Sequence, residues 1–128
     1  MKVVLDTNVW LDILVFDDPR ARRLREGFEI VVDEACSAEL ERVLAYPLGR
    51  WTLSDEGRRS CLNAFRNLAR LHAGTAPAPP LPRCADPDDQ KFLALAASAG
   101  ADALVTKDEA LLRLTGRLPF RIARPADL

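Results

Sequence analysis

Four stretches of the chain carry carboxylates where an apolar element ends or begins. Val3-Val4-Leu5 stops at Asp6, with Thr7 and Asn8 behind it. Leu104-Val105-Thr106 leads through Lys107 to Asp108. Asp86, Asp88 and Asp89 surround Pro87, and Glu39 and Glu41 stand close together in Ala38-Glu39-Leu40-Glu41. Each acid alone has an ordinary use: Asp86 before Pro87 and Asp108 before an apolar turn are good helix caps, and Asp89 suits the positive end of a helix dipole. Gathered at one place they are a different matter. Close carboxylates repel one another, and a cation is the usual remedy. Oxygen-only donors favour a hard ion, magnesium or manganese, over zinc. Such an ion contacts a phosphate oxygen and acidifies a bound water, so the chemistry is hydrolysis of a phosphodiester by a metal-activated water. Asn8 and Thr106 are placed to position that water or to orient a carboxylate by hydrogen bonding.

The elements decide whether the acids meet. Residues 2–6 read as a buried strand, 28–32 as a second, Ala103 to Thr106 as a third and Phe120 to Ala123 as a fourth. Between them fall helical patterns. One runs from Asn8, a candidate cap, to Leu14. Others cover roughly 19–26 with Pro19 at the first turn, 33 to about 45 after Asp33, 55 to about 71 after Ser54, 86–100 ending at Gly100, and 108–114. The segment 75–82 is too proline-rich for a helix or sheet interior and reads as a stiff connector within one domain spanning 1–128. Near-continuous apolar strands separated by helices point to an α/β fold, a parallel sheet covered on both faces. Ligands of such sheets bind beyond the carboxyl ends of the strands, which is where Asp6 and Asp108 stand. Spacing leaves one choice open. Glu39 shares a helix face with Cys36 and Val43, but Ala38 and Ala45 flank Glu41 in the same way.

Composition narrows the function classes. The chain has 128 residues, 48% hydrophobic and 29% charged, with a net charge of -1, so bulk positive charge does not carry it to nucleic acid. Arginines nevertheless cluster at 20–25 and 58–70, and Arg22, Arg23, Arg59 and Arg66 are candidate contacts for nucleic-acid phosphates. A single histidine, His72, leaves no acid/base histidine pair for metal-free RNA cleavage, and its place at the end of a helical pattern suits a terminus-capping cation. Three scattered cysteines suggest neither a zinc site nor a disulfide framework. No run is long enough to span a membrane and no secretory signal is visible, so the expected location is the cytoplasm.

Taken in order, Val3-Val4-Leu5-Asp6-Thr7-Asn8, Ala38-Glu39-Leu40-Glu41-Arg42-Val43-Leu44, Asp86-Pro87-Asp88-Asp89-Gln90-Lys91-Phe92-Leu93-Ala94-Leu95-Ala96 and Ala103-Leu104-Val105-Thr106-Lys107-Asp108 resemble the PIN-domain family. The likeness is strongest to its branch of toxin components of toxin–antitoxin systems, akin to VapC-type toxins, and covers nearly the whole chain. The resemblance implies a three-layer α/β/α nuclease fold with a mainly parallel central sheet. It implies a magnesium- or manganese-dependent endoribonuclease, often a homodimer, often silenced by a small antitoxin encoded alongside. Asp6 matches the first family acid and Asn8 the polar residue after it. Glu39 rather than Glu41 matches the helix acid, Asp89 the third acid with Asp86 an extra one, and Asp108 the fourth, after Thr106. These four acids, Asp6, Glu39, Asp89 and Asp108, are the implied catalytic and metal-holding set. Gln90 and Lys107 depart from the residues common in this branch, and neither removes a ligand. Two alternatives compete: a PIN-fold binding module without catalysis, and a phosphotransferase using Asp6 as nucleophile, in which a second aspartate would stand where this chain has Asn8.

Overall fold

The computed structural model describes residues 1–74 and 80–128. Among these, five strands form one fully parallel sheet: β1 (Lys2–Leu5), β2 (Glu29–Val32), β3 (Ala69–Leu71), β4 (Ala103–Val105) and β5 (Arg121–Ala123), in the order β3-β2-β1-β4-β5. Val4 of β1 sits beside Leu104 of β4, and Val3 beside both Ile30 of β2 and Ala103. The two-residue alternation of side chains divides the strands between two cores. Val3, Leu5, Ile30, Val32, Ala103 and Val105 face one side with Val9, Trp10, Leu40, Leu44 and Phe65. Val4, Val31, Leu104 and Ile122 face the other with Phe92, Leu93, Leu95, Ala96 and Leu111. Helices α1 (Thr7–Leu14) and α3 (Asp55–Leu68) cover the first face, and α4 (Gln90–Ala99) and α5 (Glu109–Leu112) the second. Helix α2 (Glu34–Leu44) touches both, giving Leu40 and Leu44 to the first core and Cys36 to the second. The layers are α/β/α.

The edge-on stack of Trp10 and Phe65, with centroids 4.8 Å apart, joins α1 to α3 and adds about 1 kcal/mol beyond simple burial. Gly100, at φ 64°, closes α4 in the left-handed conformation that lets its N–H return to the helix carbonyls.

Three local expectations are corrected. The helix expected to reach residue 71 ends at Leu68. Ala69, Arg70 and Leu71 extend to pair with Ile30, Val31 and Val32, because the open edge of β2 offers backbone partners that outweigh the helix propensity of these residues. Leu71 is accordingly 72% exposed rather than part of an apolar helix stripe. His72 does not cap a helix: its N–H donates to Val32 O and its ring nitrogen lies 3.2 Å from Ser98 Oγ. The stretch 19–26 is a 3-10 helix, Pro19–Arg25, capped by Asp18. Its two buried residues, Ala21 and Leu24, are three apart, which suits three residues per turn. Of the proline-rich connector expected over 75–82, residues 75–79 lie outside the described residues.

Candidate functional site

Asp6 leaves β1 in extended conformation and caps α1, its Oδ1 accepting the Val9 N–H at 2.9 Å. The cap is Asp6, not Asn8, which lies exposed on the first turn. The other oxygen of Asp6 accepts the hydroxyl of Thr106, and Thr106 Oγ1 in turn accepts the Asp108 N–H at 3.0 Å. One buried threonine thus ties the acid after β1 to the acid after β4. Parallel pairing of Leu5 with Val105 brings the two strand ends level. Asp6 is 4% exposed, and burial pushes its carboxyl above the ordinary range.

Asp89 occupies the cap position of α4, yet among the described residues its side chain takes up no cap hydrogen bond. Its carboxyl faces Asp108 instead. Burial, then the hydrogen bond and charge of Asp108, then the charges of Asp86 and Asp6, push it up to about 7. Asp108 also caps α5 through Ala110 N–H, and Asp86 caps the turn Pro87–Asp89 through Asp88 N–H. Capping and site-lining coexist in both.

Glu39 reaches the same place from α2. Burial raises its pKa, but the hydroxyl of Thr7 and the ammonium of Lys91, 2.9 Å from Oε1, outweigh this and hold it below the ordinary value. Lys91 Nζ also donates to Asp88 O at 2.7 Å. Glu41 points elsewhere, 3.7 Å from Arg66, so the geometry separates the two glutamates that spacing could not.

Asp6, Thr7, Asn8, Glu39, Val43, Asp86, Asp88, Asp89, Phe92 and Asp108 line one cleft of about 590 Å³ including its open mouth. Six of the ten are acids. Of the expected site residues, Asp6, Glu39, Asp89, Asp108, Asn8 and Asp86 meet here, with Thr106 directly behind. Arg22, Arg23, Arg59 and Arg66 do not line it. Arg22 pairs with Asp17 at 3.0 Å, Arg66 approaches Glu41, and Arg23 and Arg59 are exposed. Thr7 and Lys91 were not anticipated as partners of Glu39. Each belongs to a different helix, and the only sequence signal was their place beside acids already singled out.

The donor set suits a hard divalent ion: carboxylates, with an amide and a hydroxyl nearby, and a surplus of negative charge that adds to burial in raising the Asp89 carboxyl. Among the described residues no three histidine, cysteine or acidic side chains form a ready-made cage. The fit is therefore one of chemistry and charge. Both oxygens of Asp6 are engaged by Val9 and Thr106, which suits a fixed ligand better than a free nucleophile.

Comparison with known proteins bears on the fold and family. A family model described as PIN domain matches residues 2–110. Among solved structures, the crystal structure of VapBC2 from Rickettsia felis bound to a DNA fragment from their promoter contains a chain similar to this one. It has a TM-score of 0.63 and 16% identity, covering 97% of this chain and 98% of that one. No curated protein matches the chain.

Proposed function

The chain belongs to the PIN-domain family, and from that premise we propose that it is a magnesium- or manganese-dependent endoribonuclease, the cytoplasmic toxin of a toxin–antitoxin pair. The observation that carries the nuclease reading is the convergence of Asp6, Asp89 and Asp108 in a cleft with no basic lining residue among those described. The toxin role rests on the likeness to VapC-type toxins, and the fold shared with a chain of VapBC2 is in keeping with it. A small antitoxin is the expected partner and a homodimer the expected assembly.

In this reading Asp6, Asp89 and Asp108 hold the ion, with Glu39 at the edge of the set. An ion held there would supply Lewis-acid chemistry, polarising a phosphate oxygen and acidifying a water. Thr106 fixes the Asp6 carboxylate through one hydrogen bond and the Asp108 backbone through another, so neither acid has to be ordered when the ion arrives. Thr7 and Lys91 fix Glu39 from two sides. Asn8, exposed on the rim, presents its amide to a water or a phosphate. Asp89, whose carboxyl burial and its acidic neighbours push up to about 7, would have to be ionised to serve as a ligand, so its share of the site would strengthen as pH rises.

Side-by-side expression of wild type and Asp6→Asn tests the proposal. Wild type is expected to arrest growth and leave cleaved RNA, and the variant to do neither. Intact RNA after incubation of purified wild type with millimolar manganese would overturn the nuclease reading.

A further inference from the structure

Among the described residues three polar or charged side chains are buried: Asp6, Thr106 and Asp12. The first two belong to the acidic cleft. Asp12 lies on α1 and lines a separate cavity of about 350 Å³ with Asp18, Arg20, Lys107 and Arg124. Its Oδ2 is enclosed without a hydrogen-bond partner of good alignment, and its contact is ionic, with Lys107 Nζ at 2.5 Å. A buried carboxylate facing one cation seldom repays its own desolvation, so stability is a poor explanation for it. Position is a better one. Asp6 caps α1 and Asp12 lies farther along the same helix. Lys107 stands between Thr106 and Asp108 in the loop after β4. Helix and loop are therefore tied twice, by Thr106 to Asp6 at one point and by Lys107 to Asp12 at another. One tie leaves a hinge; two fix the orientation of the loop that carries Asp108 relative to the helix that carries Asp6.

We propose that Asp12 is a positioning residue of the acidic cleft, which through Lys107 sets the spacing of Asp6 and Asp108 and with it the affinity for a divalent cation. This rests on reading the cleft as a cation site.

Manganese titration of the purified full chain by calorimetry tests it, on wild type, Asp12→Asn, Lys107→Met, the double variant and Arg124→Gln. Arg124 lines the same cavity but pairs with Glu109 rather than Asp12. Asp12→Asn and Lys107→Met change the charge near the cleft in opposite directions, so a purely electrostatic effect would weaken binding in the first and tighten it in the second. Positioning weakens both, by about tenfold. The double variant then loses no more than either single one, because the tie can be cut only once. Arg124→Gln stays at the wild-type affinity. Should Asp12→Asn fail to fold, Lys107→Met carries the test alone, at a side chain 37% exposed. Folded Lys107→Met binding manganese as tightly as wild type, or more tightly, would overturn the proposal. Wild type that binds no manganese would instead overturn the cation-site reading beneath it.

Discussion

Two cavities meet the Thr106–Asp108 loop, one through Lys107 and one through Asp108, and they treat their carboxylates in opposite ways. In the smaller, Asp12 faces Lys107 and Asp18 holds Arg20 at 2.9 Å. The Arg20 hydrogen bonds keep the Asp18 carboxyl down at about 2. In the larger, Asp6, Asp86, Asp88, Asp89 and Asp108 meet with, among the described residues, no paired cation beyond Lys91 on Glu39, and Asp89 is pushed up to about 7. Acids that already face a cation leave little charge for a ligand to neutralise. Like charges forced together store repulsion that a proton or a divalent ion can relieve, and stored repulsion of that kind marks a site rather than a scaffold.

The largest difference between the two cavities should appear in catalysis. Asp108→Asn, which keeps the shape of the side chain, is expected to lower the RNA cleavage rate by on the order of 10²–10³-fold, whereas Asp18→Asn leaves it unchanged. A gel assay with both variants decides this. Equal rates would dissolve the contrast.

A smaller effect concerns the surface around the cleft. Arg22 and Arg23 do not line it, and charge reversal at both is expected to weaken RNA binding by about tenfold. The salt dependence of log K should also become shallower by about 2, one for each phosphate that is no longer neutralised. Filter binding across a salt series measures both, and an unchanged slope removes these arginines from the substrate path.

Stability against pH separates the cavities next. The folded protein holds a proton at Asp89 more tightly than the unfolded chain does. The Asp89 contribution to metal-free stability therefore falls as pH rises from 3.8 to about 7 and is level above. Asp18 has the reverse sign: its contribution is present above 3.8 and lost as pH falls towards about 2. Asp89→Asn should flatten the first slope and raise neutral-pH stability by on the order of 1 kcal/mol once solvent screening is allowed for. Denaturant melts at pH 5 and pH 8 read this directly. A slope that survives in Asp89→Asn would place the repulsion elsewhere.

Much of this was legible in the residues themselves, for a physical reason. Apolar runs such as Val3-Val4-Leu5 and Leu104-Val105 specify buried parallel strands, and in such a sheet the residues just past the strand ends share one edge, which is why Asp6, Thr106 and Asp108 could be paired across a hundred positions. What depends on the approach of separate elements was not legible. Ala69-Arg70-Leu71 becomes a strand only because β2 has a free edge. Thr7 and Lys91 meet Glu39 only because α1, α2 and α4 converge on the cleft. Asp12 was not singled out from the residues, and its partner Lys107 lies 95 residues away. The choice between Glu39 and Glu41 illustrates the same divide: equal spacing could not rank them, and only the packing of α2 shows that Glu39 faces the cleft while Glu41 lies by Arg66.

The most direct test is the binding of manganese to purified wild type and Asp6→Asn near pH 7.5, followed by electron paramagnetic resonance of the free ion. If the acidic cleft is a cation site, wild type takes up manganese saturably at or below millimolar concentration, and Asp6→Asn, folded but lacking one fixed charge, binds at least tenfold more weakly. Equal uptake by the two proteins, or none by wild type, would contradict it.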